Sequence, residues 1–136
     1  MIVAEANTRQ AELEVLCLVF DKEMIQLKSA RSIVDDITAW LADANETPLT
    51  DLGFEALQHR HETLADHRDR CEKLACQRQV SLEETTTKKI KTKIQHWSLV
   101  LYIYQEFSSS YPLLSTVTRL DDTCKERQRV VRRHLV

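Results

Sequence analysis

An all-α, up-and-down antiparallel helical bundle is the fold this sequence predicts, and three observations carry the expectation. The 136 residues include one glycine, Gly53, and two prolines, Pro48 and Pro112. Sheets and loop-rich folds need turn residues at every reversal, so so few of them suit long helices with few connections. Apolar residues recur at three- and four-residue steps over long stretches, which is the helical period. Hydrophobic residues make up 43% and charged residues 29% of the chain, too apolar for a disordered segment and too charged for a membrane bundle.

The expected organisation is a single domain over residues 1–136 with helices at about 4–44, 51–79, 82–108 and 112–135. In the first, Leu13, Cys17, Phe20, Met24, Leu27, Ala30, Val34, Ile37 and Leu41 form one stripe, and a break near Lys28 to Ser32 is one way to shorten so long a rod. Pro48 stops it, and Thr50 or Asp51 can cap the second helix. That second helix places Phe54, Leu57, His61, Leu64, Arg68, Cys71 and Leu74 on one side, with Arg68 as the odd member. Ser81-Leu82-Glu83-Glu84 has the form of a capping box and predicts a third helix from Leu82. Its stripe is Ile90, Ile94, Trp97, Leu101 and Tyr104, flanked by Val100, Ile103 and Phe107. Pro112 suits the first turn of a fourth helix, whose inner face is Leu113, Val117, Leu120, Cys124, Val131 and Leu135.

Charge is unevenly spread. Residues 1–68 carry 13 acids against 6 bases and residues 69–136 carry 8 against 13, so early and late helices are expected to attract one another, the alternative being that the basic half faces an acidic partner. No apolar run approaches the roughly 20 residues a membrane span needs. The first ten residues are polar and acidic where a signal peptide needs an apolar segment. Cys17, Cys71, Cys76 and Cys124 all lie in helical patterns, and reduced thiols in an intracellular, cytoplasmic rather than nuclear, protein are the expectation.

Trp40-Leu41 late in the first helix, followed by Leu57, then His61-Glu62-x-Leu64, Cys71 and Leu74 in the second, resembles a spectrin repeat. Trp97 with Ile94 and Leu101 looks like the family's second tryptophan. The resemblance spans about Leu27 to Phe107. It implies a three-helix core, here with an extra C-terminal helix, and a place in cytoskeletal spacers, nuclear-envelope proteins or the regulatory part of exchange factors. Two features depart from the family: the chain from His61 to Trp97 is short, and the third helix stops at Ser108 to Pro112.

Catalytic and ligand-binding motifs are not evident. His67 and Cys71, four apart, share a face and could chelate zinc, but neither C-x-x-C nor H-E-x-x-H occurs, and the expectation is no metal. One glycine cannot build a phosphate-binding loop, so no nucleotide cofactor is expected. No nucleophile context stands out and the expectation is a non-enzyme. Two surfaces are candidates for protein binding: the aromatics Tyr102, Tyr104, Phe107 and Tyr111, and a basic stripe of Lys125, Arg129, Arg132 and Arg133. A second basic run, Lys88, Lys89, Lys91 and Lys93, opens the third helix. Without aromatics interleaved among these bases, nucleic acid is not the expected partner. The sequence therefore points to a protein-interaction and spacer module in a cytoskeletal or scaffold assembly, as a monomer. The alternatives are a subunit of a heteromeric helical complex, paired through the long first helix, and a regulatory domain of a larger signalling protein.

Overall fold

The computed structural model describes residues 2–83, 101–109 and 111–136. Three long helices dominate them: α1 (Ile2–Asn45), α2 (Phe54–Glu83) and α3 (Pro112–Leu135), with a short 3-10 turn at Leu49–Asp51. The protein is an all-α helical bundle, and no strand occurs among the described residues. α1 is continuous over 44 residues, with no break at Lys28 to Ser32. At 1.5 Å per residue it is about 66 Å long.

α1 ends at Asn45, three residues before Pro48, and Thr50 and Asp51 belong to the 3-10 turn and do not cap α2. The carbonyl of Gly53 instead accepts the first helical bond, from the Leu57 N–H at 3.0 Å. α3 begins at Pro112, where the missing N–H costs nothing, and the Tyr111 carbonyl accepts from the Ser115 N–H at 3.0 Å.

One boundary differs. Ser81, Leu82 and Glu83 lie inside α2 rather than opening a new helix. The Ser81 hydroxyl is buried and accepts a hydrogen bond from Gln26 Nε2, while Leu82 packs on Tyr104. Tertiary contacts thus claim the residues that the capping-box pattern would have used. Residues 84–100, with Ile90, Ile94, Trp97 and the four lysines 88–93, lie outside the described residues. Residues 101–103 are helical and 104–106 form a turn, so this helix ends about five residues before the expected Ser108.

The main core joins Ala30, Ile37 and Leu41 of α1 with Leu57, Leu64, Cys71 and Leu74 of α2 and Val117, Cys124 and Val131 of α3. Among the described residues the third member of the core is therefore the C-terminal helix, which packs chiefly on α2. Cross-helix pairs set the directions: Glu23 meets Arg78 and Asp36 meets Arg70, so α1 and α2 are antiparallel. Leu64 shares a cavity with Val131 and Ala75 shares one with Val117, so α3 is antiparallel to α2. Arg68 donates to Asp121 at 3.3 Å and to Gln128 at 3.1 Å, which seats both polar interruptions of the apolar seam in one another. A smaller cluster of Leu82 and Tyr104, with Ile103, Tyr111 and Leu114 against it, closes the other end.

In α1 the predicted stripe holds only from Ala30 onward. In the first half the buried line is Val15, Val19 and Glu23, each at most 3% exposed, whereas Leu13, Phe20 and Met24 are 46–61% exposed. Phe54 of the second stripe is also exposed. Ile37→Ala should therefore destabilise the fold by about 2–5 kcal/mol in a denaturant titration, as a fully buried truncation does. Phe20→Ala in the same titration should stay within about 0.5 kcal/mol of the parent, in keeping with an exposed site.

Candidate interaction surface

α1, α2 and the turn after residue 103 meet around five polar side chains. Arg78 and Glu23, 4% and 3% exposed, form a two-pronged ion pair in which Arg78 Nη2 donates to Glu23 Oε2 at 2.9 Å and Arg78 Nη1 donates to Glu23 Oε1. Arg78 Nη1 also donates to Gln26 Oε1, and Gln26 passes its own amide N–H to Ser81. The Tyr104 hydroxyl donates to Glu23 Oε2 at 2.8 Å. A buried pair can be held only when its remaining lone pairs and protons are satisfied, and Gln26 and Tyr104 supply that. Burial, and then the bond to Glu23, push the Tyr104 hydroxyl up to about 12, so it remains a donor. Sequence patterning missed this site because Glu23 and Arg78 interrupt apolar lines, Val15-Val19-Glu23 in α1 and Cys71-Leu74-Arg78 in α2. Opposite charges at matching interruptions were the signal that was available.

The four expected aromatics consequently do not form one patch. Tyr104 is buried within the network and is not a binding residue, a correction that follows from Glu23 needing its hydroxyl. Phe107 is 62% exposed and lies on the Tyr104 ring at 5.3 Å between centroids, tilted by 36°. Tyr102 is exposed and Tyr111 is half-buried against the small cluster. Beside Phe107 a shallow apolar groove runs between Leu27 and Val34 of α1 and Pro112 and Leu113 of α3.

Lys125, Arg129, Arg132 and Arg133 are all exposed and share one side of α3, opposite Val117, Cys124 and Val131. Arg129 is tied to Glu126 within the same helix, with Nη2 at 2.6 Å from Oε1, and this bond holds the Glu126 carboxyl below its usual range. Part of the stripe is thus spent on its own helix. From Tyr111 to Arg129 is about 27 Å at the helical rise, so the aromatic and basic groups cannot serve one small epitope.

A third surface was read as core by periodicity. Leu13, Cys17, Phe20 and Met24 follow steps of four, three and four, the spacing of a coiled-coil seam. All four are exposed. At 100° per residue the centre of this seam stands about 130° round α1 from the Val15-Val19-Glu23 face, so a bundle that buries one presents the other.

The titratable groups of the core are held in their quiet forms. Burial, with Cys124 beside it, pushes the Cys71 thiol up to about 11, and burial raises Cys124 as well. Neither is an activated nucleophile at neutral pH. His67 is buried with both ring nitrogens unpartnered among the described residues, its edge against Trp40 at 4.9 Å. Its pKa is lowered by burial and then by Arg70, with Asp66 opposing. No group of three histidine, cysteine or acidic side chains that could hold a metal occurs among the described residues. Among them, too, no helix is long and apolar enough to cross a membrane.

The chain belongs to the family described as Domain of unknown function (DUF7260), whose model matches residues 1–128. That stretch takes in the whole of α1 and α2 and stops one residue before Arg129. No curated protein and no solved structure matches the chain.

Two outcomes follow from the buried groups. Glu23→Gln strands the Arg78 charge and should cost about 3–5 kcal/mol in denaturant unfolding, whereas Glu23→Leu with Arg78→Met should recover most of the loss. The unfolded His67 takes a proton near 6.5, and the folded one only at lower pH. Stability from this group is therefore complete above about pH 6.5 and is lost as pH falls through the folded value. Thermal melts should show His67→Leu flattening the acid limb between pH 7 and 5, with little cost at pH 8 because neither ring nitrogen is hydrogen-bonded among the described residues.

Proposed function

We propose that this chain is a non-catalytic protein-interaction module whose α1 seam docks an amphipathic helix of a partner protein. The observation that carries the reading is the exposure of Leu13, Cys17, Phe20 and Met24 at coiled-coil spacing on a helix whose opposite face is already buried. Isolated exposed apolar residues are ordinary, but a seam of them rimmed by charge marks a contact surface. Glu14 and Asp21 flank it on one side and Lys28 follows, so a partner helix with bases beside its apolar stripe fits it best.

Such docking suits a subunit of a helical complex within a scaffold or cytoskeletal assembly, in a reducing intracellular compartment. The spacer role implied by the spectrin-like residues Trp40, Leu41, His61 and Leu64 is compatible with it. Half of α1 builds the bundle and the other half offers the seam.

Phe20→Glu with Met24→Glu tests the reading, because both side chains are exposed and the bundle should keep its circular dichroism and melting temperature. Wild type and variant are used side by side as bait, and light scattering behind size exclusion gives the mass of each complex. A partner held by the wild type and lost from the folded variant is the expected result. Identical complexes with both chains would sink the proposal.

A further inference from the structure

At the far end of α1 from the seam, the end of that helix, the connection after it, the start of α2 and the end of α3 enclose a cavity of about 330 Å³. Trp40, Leu41, Leu64 and Val131 give it an apolar lining. Arg60 and Arg127 also line it, and no carboxylate does. Neither arginine forms an ion pair among the described residues. Arg60 Nη1 makes one long bond, 3.4 Å to the Thr47 carbonyl. α1 has no basic residue in its last turn, so its C-terminal partial charge of about −0.5 answers part of one guanidinium. Both guanidiniums therefore stand beside an apolar surface without a carboxylate partner among the described residues.

The arginines that line other cavities each have a carboxylate partner. Arg68 shares its cavity with Asp69, Glu72 and Asp121, Arg78 is held by Glu23, and Arg31 pairs with Asp35. Uncompensated guanidiniums beside an apolar cavity match one chemistry, an anion with a hydrophobic body. A carboxylate suits them because its two oxygens accept parallel N–H bonds from the planar fork of arginine. The cavity stands at the lower end of the range for small-ligand sites, which admits a short chain or a single ring and excludes a large cofactor.

We propose that this cavity binds a small amphipathic monocarboxylate, its apolar body against Trp40, Leu64 and Val131 and its carboxylate between Arg60 and Arg127. Trp40 is the reporter. The chain has two tryptophans, so Trp97→Phe leaves the emission of Trp40 alone. Octanoate titrated into the full-length Trp97→Phe protein should change that emission saturably, and octanol should bind at least about ten-fold more weakly. Arg60→Gln with Arg127→Gln should bring octanoate down to the level of octanol, with circular dichroism reporting that the helices are kept. If the double variant fails to fold, Arg127→Gln alone, at an exposed position, should still weaken octanoate several-fold. No saturable response, equal binding of acid and alcohol, or wild-type binding by the folded variants would overturn the proposal.

Discussion

The buried ion pair between Glu23 and Arg78 sets the register on which the rest of this bundle depends. Two charges at 3–4% exposure tolerate few arrangements, because each must face the other and every remaining donor and acceptor must be met. Sliding α2 along α1 by one turn would move Arg78 about 5.4 Å from its partner and leave both charges uncompensated. Apolar packing alone is more forgiving, since leucine and valine stripes can interdigitate in several registers. The same pair draws in Gln26, Ser81 and Tyr104, and with them the end of α2 and the turn after residue 103.

That constraint explains the two-faced character of α1. With Glu23 turned inward, Val19 and Val15 are carried inward too, being one and two turns before it on the same line. The heptad-spaced residues Leu13, Cys17, Phe20 and Met24 are then carried outward. Further along, Ala30, Ile37 and Leu41 continue the inward line against α2 and α3. Over those positions the two possible stripes converge, and no choice between them arises.

The legible parts of the fold were those where one stripe had no rival. In α3, Val117, Cys124 and Val131 are the predicted and the observed core, because basic and polar residues fill the rest of its circumference. In α2 the line Leu57, Leu64, Cys71 and Leu74 was likewise readable, and the odd Arg68 found Asp121 and Gln128. Reading failed where apolar residues cover two sides of one helix, as in the first half of α1. Periodicity then prefers the more hydrophobic stripe and discards the one that contains a glutamate. It failed again at Ser81, whose hydroxyl suits a helix cap and a buried acceptor equally well. The candidate surface was legible only in part: the basic stripe is exposed as expected, but Tyr104 is a structural donor, and the seam was hidden among residues assigned to the core.

The seam and the arginine-rimmed cavity occupy opposite ends of α1, some 20 residues or about 30 Å apart. They share one helix, yet nothing in the bundle makes them compete. The register between α1 and α2 is held level with the last turn of the seam by Glu23 and Arg78, and on the cavity side by the Asp36–Arg70 pair and the contact of Trp40 with His67. An occupant of the cavity would order the Arg60 and Arg127 side chains without displacing that register, since a two-state shift of α1 would first have to break the buried pair. Coupling between distant sites needs an element with two arrangements, and a helix pinned by a satisfied buried charge pair has one. The two proposed sites, at opposite ends of α1, would therefore act independently of one another.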